Sequence, residues 1–352
     1  MKGHVVHDLR QTAWEEVPDL AVGKPSEAAV RVDLVTIYGT VLHTLEDDVP
    51  GVQLGTVGGH EAVGEIVGVG SDVQALRPRD RVLVSRIGAC GRCRYWREGA
   101  CRRCMDGGGW NLGLLVDGTQ VGYLPVFFAD QSVYALPCVV ESKDVIPLAD
   151  IFPSSYGVGV PNGCARPGDT AAVVGSGLIG LVAIASARLF ASERMVAVDL
   201  FEARLGAARR VGTDAGRNPE QQIADPAAGL GADVVVEAVG VPDSSELGRC
   251  VVRLGGHVAD IGVQAKPVTL RLKDLWIKNV TITAGLEETH STLLLLSPAS
   301  NWPAAHTQLM IPTFQRDQAG GGVRRLRPGR RPGVFEVVLS EKLHVVVAAR
   351  AA

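Results

Sequence analysis

The feature that most constrains this chain is Gly175-Ser-Gly177-Leu178-Ile179-Gly180 and its surroundings. The run Thr170–Val174 leads into it, and the apolar stretch Leu178–Leu189 leads out. A GxGxxG alone is a weak signal. Between a buried strand and an apolar helix, with Asp199 closing the next strand Met195–Asp199, it is a strong one for a dinucleotide site. Gly175 permits the tight turn. Gly177 lets backbone approach a pyrophosphate. Gly180 lets the helix pack close to the sheet. The helix start then offers unpaired N–H groups and a positive dipole end to phosphate. Asp199 suits the adenosine ribose hydroxyls and repels a 2′-phosphate, so NAD is expected over NADP. Arg204, five residues on, softens that preference. Val239, Gly240, Ile261 and Gly262, around the ends of later strands, are assigned to the same site.

The rest of the chain organises around this unit. Strand–helix alternation continues through the helix Glu202–Val211 and the strands Asp233–Val239 and His257–Ile261, and TITAG within Lys273–Gly285 adds one more. That rhythm predicts a doubly wound parallel sheet. Residues 1–135 read differently. Short runs such as Ala28–Val35, Ala62–Val69 and Arg81–Ser85 are broken by Gly, Pro and Asp, which predicts a mostly β domain. A length of 352 residues suits two domains. Thr170–Ala187 is long enough to span a bilayer, but its glycine-rich turn reads better as strand, loop and helix.

Composition narrows the function classes. Charged residues are 21% and apolar residues 46%, which excludes wholesale disorder. A net charge of -3 leaves no global basic field for nucleic acid. The start, MKGHVVHDLR, has no apolar secretory core, so a cytoplasmic location is expected, with neither membrane nor nucleic acid as partner. Four of the seven cysteines, Cys90, Cys93, Cys101 and Cys104, cluster in one loop. In a cytosolic chain this suggests tetrahedral zinc before a disulfide, with free thiols the alternative. His60, beside Glu61 in GGHEAVGEIVGVG, is a further candidate, although a lone histidine in a glycine-rich turn is more often structural.

The segments GTVLH (39–43), GGHEAVGEIVGVGSDV (58–73), GDTAAVVGSGLIG (168–180), VAVDL (196–200) and VVVEAVG (234–240) together resemble the zinc-containing medium-chain alcohol dehydrogenase family. GGGWNLG and DGTQVGYLPVFFAD, with LADIFPSSYGVGV, look most like the branch that includes glutathione-independent formaldehyde dehydrogenases and related zinc alcohol and threonine-type dehydrogenases. The resemblance implies an α/β chain. A GroES-like β-rich catalytic domain (1–152) precedes a Rossmann NAD-binding domain (153–290), and 291–352 returns to the catalytic domain. It also implies a homodimer or homotetramer, with the dimer built on the strands around Thr281–Gly285.

The family's catalytic zinc ligands map to Tyr38, His60 and Asp150, and its proton relay to Thr40 and His43. Tyr38 stands where the family has cysteine, and Val41 where it has the aspartate that orients the histidine. Glu61 is a replacement carboxylate for that role. In the structural-zinc lobe, Trp96 stands at the third cysteine position, with Cys101 nearby as a substitute. The leading expectation is an NAD-dependent, zinc-type oxidoreductase of a small alcohol or aldehyde, impaired by Tyr38. One rival is a catalytically inactive NAD-binding paralogue with a structural or regulatory role. Another is a zinc-free reductase that uses only the fold.

Residues 293–332 are atypical. Arginine greatly outnumbers lysine in the chain, and five arginines crowd 324–331. GGVRRLR can be encoded so that a one-base shift gives Glu-Ala-Tyr-Asp-Val-Phe, which resembles the family's C-terminal helix. Two readings stand: a local frameshift restored before Gly333, or a natural arginine-rich loop.

Overall fold

The computed structural model describes residues 1–8, 11–19, 23–49, 51–190, 192–219, 230–264 and 266–287, and the strands Thr313–Gln315 and Val337–Ser340. The chain forms two compact units, Met1–Asp150 with Glu288–Ala352, and Ile151–Glu287.

The first unit is built on a seven-stranded sheet. Its central strand, Ala28–Ile37, is apolar enough to be buried on both faces, and eight of its ten residues are buried. Ala62–Val69 pairs antiparallel with it, and Arg81–Val84 pairs with Ala62–Val69. Val337–Ser340 pairs with the other edge of the central strand and carries Thr313–Gln315 beyond it. Val5, Val30, Val35, Val57, Val82 and Leu124 belong to one core under these strands.

Two features depart from the sequence reading. Gly39–Leu45 is a short helix within a region read as strands. It forms because Tyr38 ends the central strand and Val41 and Leu45 turn into the core. Thr313–Gln315 is a strand inside a segment that shows no strand periodicity. Pairing with Val337–Ser340, not local pattern, defines it. The rest of 293–332, with the arginine cluster, lies outside the described residues.

The second unit is a six-stranded, all-parallel sheet. In spatial order its strands are Ala215–Arg217, Arg194–Val198, Thr170–Val174, Ala232–Glu237, Val252–Asp260 and Thr281–Ala284. The order reverses at Thr170–Val174, so the loops after that strand and after Ala232–Glu237 flank the point where such sheets bind ligands. The helices Leu178–Leu189 and Glu202–Val211 follow their strands as expected. The fifth strand starts earlier than read, at Val252, because pairing through Ala232↔Val252 continues across an irregularity.

Candidate active site

Register assembles the chemistry of the first unit. Val35 pairs with Ala62, and Ala62 pairs with Val84. Just beyond these pairs lie Tyr38, His60 and Arg86. The backbone N–H of Arg86 donates to the carbonyl of Ala149 at 3.2 Å, which brings the arginine beside Asp150.

Four buried polar side chains converge there. Arg86 Nη1 lies 2.6 Å from Asp150 Oδ2, with side-chain exposures of 7% and 1%. The Tyr38 hydroxyl donates to the same Oδ2. His60 Nε2 is 2.6 Å from the Tyr38 oxygen and 3.2 Å from Asp150 Oδ2. Trp110 closes the cluster. Its ring stands edge-on to His60 at 5.4 Å and carries the Arg86 guanidinium over its face at 4.8 Å. Burial, then the charge of Asp150, holds the Tyr38 phenol well above its ordinary range, so it stays protonated. Burial also lowers His60, which is therefore neutral near pH 7.

These residues do not fit a zinc ion. The metal would need a deprotonated oxygen at Tyr38, a lone pair on His60 and a free carboxylate oxygen at Asp150. Here a phenol stands in place of a thiolate, and the Arg86 guanidinium, the Tyr38 hydroxyl and His60 Nε2 all crowd Oδ2 of Asp150, so a cation already sits against the carboxylate. Glu61, next to His60 in the chain, is buried. Its carboxylate accepts the Thr36 hydroxyl, while His60 is held by Tyr38, Asp150 and Trp110. Val41, at the family's aspartate position, is a core residue. Thr40 and His43 lie one turn apart on the helix Gly39–Leu45. Thr40 is buried, and His43 Nδ1 is 3.0 Å from Asp48 Oδ2.

The cysteine lobe does fit zinc. The sulfurs of Cys90, Cys93 and Cys104 lie within 4.8 Å of one another. Each accepts a backbone N–H: Cys104 from Cys90 at 3.3 Å, Cys90 from Cys93 at 3.4 Å and Cys93 from Trp96 at 3.4 Å. Such donors stabilise thiolate. Those of Met105 and Trp96 pull the Cys93 thiol down to about 7, while burial pushes Cys90 up to about 11. Three thiolates leave one tetrahedral position open. Cys101 does not fill it; it is fully buried in a one-turn helix, outside the trio.

In the second unit, Gly175 has φ +92°, and a β-carbon there would stand 2.4 Å from Val239 Cγ2. This brings Val239 against the first turn. At Gly180 a β-carbon would stand 1.8 Å from the Gly175 carbonyl oxygen, so only glycine closes this turn. At Gly177 nothing lies within 4 Å, and no side chain caps the helix that starts at Leu178. The open space and the uncapped N–H groups suit a pyrophosphate. Asp199 Oδ2 accepts the Ser176 N–H at 2.8 Å, and Arg204 Nη1 lies 3.7 Å from the same oxygen. Gly240 and Gly262 touch, since a β-carbon at Gly262 would stand 2.2 Å from the Gly240 nitrogen. Ile261 and Gly262 donate their N–H groups to the carbonyl of Glu237 at 2.8 and 3.2 Å.

Three organising residues escaped the sequence reading: Arg86, Trp110 and Glu237. Arg86 follows the apolar run VLVS, and a charge there, away from any turn signal, is the signal that was present. Trp110 lies within GGGWNLG, where the glycines and not the indole carry the sequence signal. The wholly buried Glu237 carboxylate accepts from Val239, Gly240 and Ser244, and so shapes the loop beside Gly175.

Comparison with known proteins agrees with this architecture. The alcohol dehydrogenase GroES-like domain model matches residues 24–150, and the zinc-binding dehydrogenase model matches residues 179–293. Zinc-type alcohol dehydrogenase B of Aspergillus flavus is 30% identical over 81% of this chain and 69% of its own length. The NADP-dependent isopropanol dehydrogenase of Thermoanaerobacter brockii is 30% identical over 74% of this chain and 75% of its own. Among solved structures, zinc-dependent alcohol dehydrogenase 2 from Streptococcus pneumonia, in its apo form, superposes with a TM-score of 0.89 at 31% identity, covering 98% of this chain and 100% of that one. The chain belongs to the zinc-type, medium-chain alcohol dehydrogenase family, with a GroES-like and a Rossmann-like domain. It is an oxidoreductase of the class that uses a nicotinamide dinucleotide and zinc. These relatives do not single out the formaldehyde dehydrogenase branch.

Proposed function

We propose that the chain transfers hydride between NAD(H) and a small alcohol or aldehyde. The supporting observation is the second-unit turn, where a close-packed Gly175–Gly180, open space at Gly177 and Asp199 stand together at the sheet's switch point. Gly175, Gly177, Leu178, Ile179 and Gly180 cradle the phosphates, and Asp199 binds the ribose diol. Val239, Gly240, Ile261 and Gly262 border the same loop set. Arg204 reaches Asp199, so it limits the discrimination against a 2′-phosphate. The test is calorimetric titration of the full chain with each nucleotide. NAD binds at least tenfold more tightly than NADP, and Asp199→Ala erases the difference. Equal affinities in the parent chain defeat the assignment of Asp199.

Zinc, when bound, would be held by Cys90, Cys93 and Cys104 and would brace that loop. We place the protein in the cytoplasm, as a dimer built on the edge strand Thr281–Ala284. Trp276 and Ile277, next to it in sequence, are 71% and 68% exposed. Among the described residues, no helix is long and apolar enough to cross a membrane.

A further inference from the structure

The family's catalytic zinc supplies a buried positive charge beside a histidine and an acidic or thiolate ligand. In this chain a positive charge is already there. We infer that the Arg86 guanidinium takes the place of that metal, and that the Tyr38–His60–Arg86–Asp150 cluster is a metal-free polar site.

Three independent features carry this. First, Arg86 is anchored on both its faces that matter: Nη1 meets Asp150 Oδ2 at 2.6 Å, and the guanidinium plane lies over Trp110 at 4.8 Å. A cation so placed repels a second cation at the same carboxylate. Secondly, the residue at the family's cysteine position gives an oxygen that donates a proton to Asp150, where a ligand would offer an electron pair. Thirdly, strand pairing fixes the backbones of Tyr38, His60 and Arg86 through neighbouring register positions, so the arrangement belongs to the sheet itself.

Tyr38 and Arg86 act together. A phenol where the family has a thiolate, beside a guanidinium on Asp150, makes a site that contains its own cation. The inference deepens the oxidoreductase reading and rests on it for its chemical meaning. An alcohol or carbonyl oxygen at this site is polarised by hydrogen bonding and the guanidinium charge, with no Lewis acid.

Metal analysis of the full chain tests it, because a zinc count does not depend on turnover. After loading with zinc and removal of excess, the parent chain carries at most one zinc. Cys104→Ser abolishes any zinc present, and His60→Ala leaves the count unchanged. Two zincs in the parent chain, or one that His60→Ala removes and Cys104→Ser retains, overturns the inference without reference to activity. The double substitution Tyr38→Cys with Arg86→Met restores the thiolate and removes the cation, so the count rises by one per chain. Cobalt substitution of the same double variant then adds a second set of thiolate charge-transfer bands. A folded double variant that gains neither metal nor bands also overturns it. If alcohols and aldehydes give no turnover while the zinc counts come out as stated, the oxidoreductase reading fails and the metal-free assignment stands.

Discussion

At the scale of single residues, the buried ion pair between Arg86 and Asp150 dominates. Removing one partner of such a pair leaves an uncompensated buried charge, which costs about 3–5 kcal/mol. Arg86→Ala should therefore lower unfolding free energy by about 3 kcal/mol in urea titration. Asp150→Asn in the same background should recover a large part of that loss. Strictly additive effects of the two changes would show that the pair does not couple. A second carboxylate gives a pH prediction. Burial, then the charge of Glu237, raises Asp260 from 3.8 to about 6, with Arg249 opposing. A carboxyl raised in the folded state contributes stability that is complete below its unfolded value and lost as pH rises through the folded one. The loss accordingly falls between about pH 4 and pH 6. Asp260→Asn should gain about 1–2 kcal/mol on the parent chain between pH 4 and pH 8, a figure reduced for partial exposure. A pH-independent difference would contradict this.

Among the elements, the glycine-rich turn separates packing from binding. A β-carbon at Gly180 overlaps the Gly175 carbonyl, whereas one at Gly177 enters open space. Gly180→Ala should cost about 3 kcal/mol of stability, the upper end for overpacking. Gly177→Ala should change stability by about 1 kcal/mol or less and weaken NAD about tenfold or more. Thermal unfolding with NAD titration distinguishes the two, and equal effects on stability would contradict the geometry. This turn was legible in the sequence because its strand, glycines, helix and Asp199 are local to one βαβ unit. In the first unit the runs Ala28–Val35, Ala62–Val69 and Arg81–Ser85 were legible because each is a local stretch bounded by Gly, Pro or Asp, whereas Thr313–Gln315 was not. The cluster around Asp150 was not. His60 was marked as a candidate in its glycine-rich turn, Tyr38 and Asp150 only by resemblance, and Arg86 and Trp110 meet them through strand register and long-range loop contacts. A sequence pattern shows neither. Cys101 illustrates the same limit: its spacing suggests a ligand, but its turn buries it away from the trio.

For the whole molecule, the account predicts an oligomer and a catalyst. The substitutions Trp276→Glu and Ile277→Glu alter exposed side chains, so they should leave the melting temperature nearly unchanged while converting dimer to monomer in analytical ultracentrifugation. A parent chain that sediments as a monomer would defeat the edge-strand assignment. The arginine-rich stretch 324–331 has its own test in the coding DNA. If no one-base shift across 293–332 restores a family-like helix, the frameshift reading falls and the natural loop remains. Nicotinamide-linked alcohol oxidation by this chain is measured by NADH formation from a panel of small primary and secondary alcohols. The account predicts alcohol-dependent NADH production with NAD as the better acceptor. Tight dinucleotide binding without NADH or NADPH formation from any alcohol, and without the reverse reaction from any aldehyde, would contradict it.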